Sequence, residues 1–189
     1  MNSEVNGIES ADAMNAALRV DGLVVEKLRN TTVLITGGTG FLGSWIVEAL
    51  RALNEHRGTN TRILLTTRNA AAATRKFPHW STDTHIEIVQ HDVCLPFEWN
   101  VGSVDYMIHG ATDVEQSCES QWALARSICQ GTNNILELAQ LCKPISLMYL
   151  SSGSSAPSPA GVVLTDELNT SAPSTTDCSG YASSKRFSE

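Results

Sequence analysis

The amino-acid sequence predicts an α/β fold built on a doubly wound parallel sheet. Two observations lead to this prediction. From residue 31 onward, short apolar runs alternate with segments of helical periodicity, and the first apolar run leads directly into a glycine-rich turn. Strands that are separated by helices join through right-handed crossovers and therefore lie parallel in one sheet. The runs are apolar throughout, as expected for strands that helices cover on both faces.

The strands are predicted from aliphatic and β-branched runs that turn residues separate. In chain order they are Thr32–Thr36, Arg62–Thr67, Ile86–Val89, Val104–Ile108 and Ile145–Leu150. Apolar residues repeat at helical spacing over Phe41–Leu53 and Gln121–Leu141, and Pro144 ends the second of these helices. An alanine-rich segment after the second strand predicts a shorter helix, and a last helix is expected to start near Ser179.

The length and charge of the chain limit its organisation and its partners. Its 189 residues are enough for one ordinary domain. Residues 1–30 are polar, with one helix predicted at 11–19, and are interpreted as an extension that precedes a folded domain over 31–189. The net charge of −7 argues against binding to nucleic acid or to an anionic membrane. Because no apolar run reaches the roughly 20 residues of a membrane span and the chain starts with polar residues, we expect a cytoplasmic protein.

The cysteines and histidines do not predict a disulfide framework or a metal site. The five cysteines are scattered without a CxxC pair, which favours reduced thiols. His85, His91 and Cys94 lie close in sequence, but their spacing and loop setting do not match a zinc site. We therefore predict no metal.

A glycine-rich turn follows the first predicted strand and opens the next helix. Gly37, Gly40 and Gly43 fit the spacing GxxGxxG, while Gly38 with the last two fits GxGxxG. Either spacing lets the backbone approach a pyrophosphate, and the first helical residues, Phe41 and Leu42, would place the helix N-terminus against the anion. A phosphate loop would need Lys and Ser or Thr after the last glycine, whereas this chain continues with Ser-Trp. We predict a Rossmann-like domain that binds a nicotinamide dinucleotide, although the glycines alone would also suit a simple turn.

The residue at the end of the second strand bears on the choice between NAD and NADP. An acidic residue usually accepts the adenosine ribose hydroxyls at this place, but here the sequence reads Thr66-Thr67-Arg68. An arginine suits the 2′-phosphate of NADP, which favours that cofactor over NAD. The alternative is a solvated arginine at a helix start.

Three polar residues near the end of the chain suggest oxidoreductase chemistry. Tyr181 and Lys185 are four residues apart in the last predicted helix, which puts the phenol and the ammonium on one face. Ser152 follows the fifth strand, and the carboxyl ends of parallel strands form the ligand crevice of such a sheet. A nearby ammonium favours the phenolate, so Tyr181 is a candidate proton acceptor and Ser152 a candidate hydrogen-bond donor to the reacting oxygen. The alternative is an exposed Tyr and Lys on an ordinary helix.

Together these motifs resemble the extended short-chain dehydrogenase/reductase family, and within it the NAD-dependent epimerase/dehydratase group that acts on nucleotide sugars. The resemblance extends over residues 31–189. Its motifs, in chain order, are Val33–Gly43, His91-Asp92-Val93, His109-Gly110-Ala111-Thr112, Gly131-Thr132-Asn133, Ser151-Ser152-Gly153 and Tyr181–Lys185.

This resemblance implies roles for individual residues. Asp92 and Val93 would flank the adenine, and Ala111 would line the cofactor cleft. Ser152 and Tyr181 would face the sugar, and Lys185 would hold the nicotinamide ribose. The long helix over Gln121–Leu141 and the Tyr-Lys helix would pair across a homodimer axis, and the apolar stripe that begins at Trp122 is either that contact or internal packing.

The predicted function is an NAD(P)-dependent nucleotide-sugar epimerase or dehydratase that removes and returns a hydride. The family's dehydratases carry an acidic pair after the strand-end Ser or Thr, and Gly153-Ser154 stands there instead, so epimerase ranks first. The chain also ends four residues after Lys185, which predicts truncation before the substrate domain. A non-catalytic dinucleotide-binding module and an NADP-dependent carbonyl reductase remain alternatives.

Overall fold

A computed structural model of the chain describes residues 10–98, 102–112, 121–155 and 180–189. Five strands form one parallel sheet: β1 Thr32–Thr36, β2 Arg62–Thr67, β3 Ile86–Gln90, β4 Tyr106–His109 and β5 Ser146–Tyr149. The spatial order is β3-β2-β1-β4-β5, so the chain changes direction across the sheet between β1 and β4. The predicted doubly wound parallel sheet is confirmed. Such a switch point is where ligands bind in open α/β sheets.

The described helices match most of the predicted ones. They are α1 Ser10–Arg19, α2 Gly22–Leu28, α3 Phe41–Arg57, α4 Ala70–Lys76, α5 Gln121–Cys142 and α6 Gly180–Ser188, with short 3-10 helices at Pro78–Thr82 and Gly153–Ser155. The sequence did not predict α2. Its start depends on the Asp21 side chain, which accepts a hydrogen bond from the Leu23 amide at 2.8 Å.

Successive residues of β1 point to opposite faces of the sheet, and each face has its own apolar cluster. Val33 and Ile35 lie in the first cluster with residues of α3, and Leu34 lies in the second with Leu138 of α5. The first cluster also holds Ala13, Ala17 and Val25 from the helices before residue 31, and the stacked rings of Phe77 and Trp80. Side chains on both sides of residue 30 thus share one core. The boundary at residue 30 stays a prediction.

The side of the sheet that contains β5 is less covered. Ile128 and Ile135 of the long-helix stripe are buried, but Trp122, also assigned to that stripe, is 76% exposed. Ile145, Met148 and Phe187 are exposed as well. None of the described helices is long and apolar enough to cross a membrane. Cys94, Cys129 and Cys142 are free thiols, whereas Cys118, Cys178 and most of the serine-rich segment after β5 lie outside the described residues.

Candidate functional site

The glycine turn joins β1 to α3 through contacts that only glycine permits. Gly37 has φ +74°, in the left-handed region, and a Cβ there would lie 2.5 Å from the Gly110 carbonyl carbon. A Cβ on Gly43 would lie 2.2 Å from the Gly37 carbonyl oxygen. The Gly40 amide donates to that same oxygen at 3.0 Å, and Gly40 caps α3 without a side chain. A Cβ on Gly38 would also be too close, at 2.0 Å from Leu65 Cδ1. That neighbour is a side-chain atom, whereas Gly37 meets backbone and has a positive φ, which favours the wider spacing that begins at Gly37.

A cavity opens beside this turn at the carboxyl ends of β1, β2, β3 and β4. Several of the predicted cofactor residues line it: Gly37, Gly40, Arg68, Asp92, Val93 and Ala111. Four others do not, one of which is Lys185 on α6. Phe41 and Leu42 are exposed on the first turn of α3, and Gly43 packs under the glycine turn. Their place in the sequence motif reflects the shape of the turn rather than side-chain contact with the cavity.

The cavity also has lining residues to which the sequence analysis assigned no role in a site: Thr39, Thr66, Thr67, His91, Cys94, Gly110, Thr112 and Ser127. The hydroxyls of Thr66 and Thr112 are buried and make no hydrogen bond in the described structure. A buried hydroxyl without a partner is unfavourable by about 1–3 kcal/mol. Both hydroxyls are therefore suited to a ligand with hydrogen-bonding groups. The position of Thr66 at the end of β2 was the available signal.

Two cationic side chains lie at the β2 side of the cavity. Arg68 lines it directly. Lys76, at the end of α4, donates from Nζ to the carbonyl oxygen of Thr39 in the glycine turn at 2.8 Å. Lys76 itself does not line the cavity, but its charge lies next to the lining residue Thr39, a contact that sequence spacing alone did not predict.

The loop after β3 is held by its own hydrogen bonds. The Asp92 carboxylate accepts from the Cys94 amide at 2.9 Å, and Asn134 of α5 donates from Nδ2 to the Val93 carbonyl at 2.7 Å. Asp92 thus shapes the loop that forms one cavity wall. Within the described ranges, no three His, Cys, Asp or Glu side chains are grouped as a metal ion would need.

Lys185 and Tyr181 lie together on α6, next to the end of β5. Lys185 is 2% exposed and donates from Nζ to the Leu150 carbonyl at 2.8 Å. Its Nζ lies 4.7 Å from the ring centroid of Tyr149 and 6.0 Å from that of Tyr181. Burial lowers the pKa of the Lys185 ammonium. Tyr149, which the sequence analysis did not consider, therefore contacts the same cation, and burial raises the pKa of its phenol.

Ser152 lies on the turn that follows β5, and α6 packs against this turn. Its Oγ accepts from the Ser154 amide at 3.2 Å, and its carbonyl accepts from the Ser155 amide at 2.9 Å. Glu189 links α6 to the same turn by accepting from the Ser151 and Ser155 hydroxyls. The structure thus brings Ser152 onto the element next to Tyr181 and Lys185, but these three residues do not line the cavity at the glycine turn.

The sequence profile of the NAD dependent epimerase/dehydratase family matches residues 33–189. The chain belongs to this family. The resemblance drawn from the motifs is therefore confirmed. No curated protein matches the chain significantly in sequence.

Solved structures of family members and of related enzymes share the fold. The UDP-glucuronic acid 4-epimerase from Bacillus cereus, in complex with NAD, has a TM-score of 0.65 at 17% identity, with 84% of this chain and 50% of that chain covered. The Helicobacter pylori ADP-L-glycero-D-manno-heptose-6-epimerase has a TM-score of 0.62 at 20% identity, covering 84% of this chain and 49% of that one.

The terminal R domain of the myxalamid PKS-NRPS pathway is similar over more of the chain. Its TM-score is 0.64 at 21% identity, and the match covers 95% of this chain and 50% of that chain. At these identities the similarity establishes the fold. This epimerase/dehydratase family chain spans about half the length of the structures that it matches.

Proposed function

We propose that this chain is the dinucleotide-binding part of an NAD(P)-dependent oxidoreductase that acts on nucleotide sugars, with epimerisation as its reaction. The observation that carries the proposal is the glycine turn. Its backbone contacts exclude any side chain at Gly37 and Gly43, and it opens a cavity at the switch point of the sheet. A backbone this close to a cavity at a helix N-terminus suits a pyrophosphate.

The residues of the cavity fit a nicotinamide dinucleotide. Gly37 and Gly40 would hold the pyrophosphate, and the unpartnered Thr66 hydroxyl would bond to the adenosine ribose. Arg68 and Lys76 supply two positive charges on that side, which favours the 2′-phosphate and so NADP over NAD. When bound, the cofactor supplies hydride transfer.

The protein's own share of the chemistry falls to α6 and the end of β5. Tyr181 would accept the proton of a sugar hydroxyl, and Ser152 would donate a hydrogen bond to the reacting oxygen. The buried Lys185 ammonium is fixed by the Leu150 carbonyl, lies 6.0 Å from the ring centroid of Tyr181 and would bind the nicotinamide ribose. The Glu189 link to Ser151 and Ser155 would keep Ser152 near α6.

Substitution of Tyr181 tests this function in the full-length protein. With a panel of UDP- and dTDP-sugars, Tyr181→Phe should reduce turnover by at least about 100-fold, the usual size of general acid-base catalysis. Dinucleotide affinity, measured by calorimetry, should stay the same. Tyr106→Phe is the matched control, because its hydroxyl bonds to the Lys27 carbonyl away from the site. Unchanged turnover in Tyr181→Phe would refute the role of the phenol.

The charges of Arg68 and Lys76 also favour a second candidate, an NADP-dependent carbonyl reductase. Net oxidation of NADPH during turnover would identify a reductase, whereas an epimerase returns the hydride and consumes none. Binding without any turnover would identify a non-catalytic binding module.

A homodimer is part of the proposal. The exposed Trp122 on α5 and Phe187 on α6 provide apolar surface on the two helices that the family resemblance assigns to the dimer contact. Sedimentation at increasing concentration should show association, and a monomer at all concentrations would contradict it.

A further inference from the structure

His109 is the last residue of β4 and lies between the two parts of the proposed site. Its side chain is 2% exposed. On one side it contacts Thr36, at the end of β1 next to the glycine turn, and on the other its ring centroid lies 5.7 Å from that of Tyr149. The proposed mechanism gives this imidazole no task. A buried polar ring at such a junction needs a partner for each nitrogen.

The partner of Nδ1 follows from the hydrogen bonds of Thr36. The Ala111 amide donates to Thr36 Oγ1 at 3.2 Å, and Thr36 Oγ1 lies 2.7 Å from His109 Nδ1. An amide can only donate, so Thr36 Oγ1 accepts from Ala111. The Thr36 hydroxyl proton has one acceptor among its described partners, the imidazole Nδ1, and a buried hydroxyl proton without an acceptor is unfavourable. Nδ1 is therefore an acceptor and carries no proton.

The partner of Nε2 follows from the hydrogen bonds of α5. Thr132 Oγ1 donates its single proton to the Ile128 carbonyl at 2.9 Å, the usual bond of a threonine inside a helix. The same oxygen lies 3.5 Å from His109 Nε2, so it faces the ring as an acceptor. Burial and the charge of Lys185 lower the pKa of His109 to about 4. The ring is thus neutral near pH 7, with its proton on Nε2.

The hydrogen bonds of His109 and Thr36 lead to the Gly110–Ala111 backbone, which forms one wall of the cavity and packs against Gly37 with no side chain between them. Because a Cβ on Gly37 would lie 2.6 Å from the Ala111 nitrogen, the glycine turn and the Gly110–Ala111 backbone touch directly. Two hydrogen bonds hold this contact: the Gly110 amide donates to the Thr36 carbonyl at 3.1 Å, and the Ala111 amide donates to Thr36 Oγ1 at 3.2 Å. The second depends on the orientation of the Thr36 hydroxyl, which also bonds to His109.

We propose that His109, as the neutral tautomer protonated on Nε2, is a positioning residue that holds the Gly110–Ala111 wall of the dinucleotide cleft against the glycine turn. The proposal rests on the proposed dinucleotide binding. It gives a defined task to the histidine of the His109–Thr112 motif, which sequence analysis could describe only by its place after a strand.

The tautomer can be observed directly in the unmodified chain. Nitrogen-15 spectra of the imidazole between pH 5 and pH 8 should show one neutral ring with the proton on Nε2 throughout. The titratable groups that face the ring among the described residues are Lys185 of α6 and Tyr149 of β5. A proton on Nδ1, or protonation of the ring near pH 6.5, would overturn the proposal.

Binding measurements test the positioning role. His109→Phe keeps the ring volume but removes both hydrogen bonds, and should weaken NADP and NAD binding by about 10-fold, the equivalent of one lost hydrogen bond. His109→Asn retains an acceptor near the position of Nδ1 and should stay within about 3-fold of the wild type. The double variant His109→Phe, Thr36→Val should bind no more weakly than His109→Phe alone, because both changes break one chain of bonds.

Thr61→Val is the matched control for lost stability. Thr61 is fully buried before β2, and its hydroxyl donates to the Leu28 carbonyl at 2.9 Å, away from the cavity. This variant should unfold more easily and bind both dinucleotides like the wild type. Wild-type affinity in folded His109→Phe would overturn the positioning role alone. If the wild-type chain binds neither dinucleotide, the proposed function falls with it.

Discussion

The strand pair β1 and β2 differs from the pair β4 and β5 in how completely the chain covers it, and we call these two regions the halves of the sheet. Every residue of β1 and the inner four of β2 are buried, whereas β4 is only half-buried at alternate positions and β5 is exposed or half-buried throughout. The edge strand β3, beside β2, is also exposed or half-buried. The well-covered half carries the glycine turn, the other half leads to Ser152, Tyr181 and Lys185, and the cavity lies where the two halves meet. The buried strands hold the glycine turn, while Tyr181 and Lys185 are held by the packing of α6 on α5 and by hydrogen bonds to the turn after β5.

The largest expected difference between the halves is the loss of dinucleotide affinity when one glycine in each is changed to alanine. In Gly43→Ala the new Cβ would lie 2.2 Å from the Gly37 carbonyl oxygen and 2.6 Å from the Gly38 Cα, so the glycine turn must move. Dinucleotide affinity should fall by at least about 100-fold, or about 3 kcal/mol. Gly153→Ala meets no atom within 4 Å and should bind normally. Calorimetry compares the two, and normal binding by Gly43→Ala would contradict the proposed role of the turn.

A buried carboxylate should distinguish the halves next. Glu48 accepts from Trp80 and His79 at 2.6 Å and from Arg51 at 2.7 Å. Burial alone would raise the pKa of this carboxyl, but these hydrogen bonds outweigh it and lower the pKa. Because removing one partner leaves the others buried and unpaired, Glu48→Ala should lower the free energy of unfolding by about 3–5 kcal/mol.

The matched change in the open half is Glu189→Ala, at a partly exposed carboxylate that directly follows α6. It should change the free energy of unfolding by less than about 1 kcal/mol. Urea unfolding of the two variants beside the wild type gives both values. Equal losses would show that the two halves are held together to the same degree.

The two halves should lose their contributions to the free energy of unfolding over different ranges of acid pH. The pKa of His109 is lowered from 6.5 to about 4, so the unfolded chain binds a proton on this ring at a pH where the folded chain does not. The stability that the neutral ring contributes is complete above pH 6.5 and is lost as the pH falls toward 4. The difference between 6.5 and about 4 corresponds to about 3 kcal/mol.

His109→Asn removes this titration. Between pH 7.5 and pH 4.5 the variant should lose about 2–3 kcal/mol less stability than the wild type, because the full difference is reached only below pH 4. The contributions of Glu48 and Asp83, whose pKa values are lowered from 4.5 and 3.8, should persist at pH 4.5 and disappear at lower pH. The same loss in variant and wild type over this range would contradict the buried neutral ring.

The sheet could be predicted from the sequence because its information is local. Each strand is a short apolar run, and Gly37 to Gly43 mark the turn that sets the site. The same locality explains the failures. The residues next to Trp122 in the sequence do not show that its face of α5 is exposed. The start of α2 depends on a single capping residue, Asp21.

The site was predictable where its residues directly follow predicted strands. Arg68, Asp92 and Ala111 each follow a strand, and the edge of the sheet brings them to one cavity. Lys76 and Thr39 are far apart in sequence and meet only because α4 packs beside the glycine turn. The place of Tyr149 next to Lys185 likewise needs the crossing of β5 and α6, which periodicity does not give.

The first two helices have a practical consequence for work on this protein. Ala17 is fully buried in the core shared with α3, and Arg57 at the end of α3 donates to the Ala17 carbonyl at 3.1 Å. A trimmed version that starts at Thr31 would expose apolar residues of α3 to solvent. It would also remove the Ala17 carbonyl, to which the Arg57 guanidinium donates. The exposed apolar surface would make the trimmed protein prone to aggregation, so an expressed version should begin upstream of Ser10.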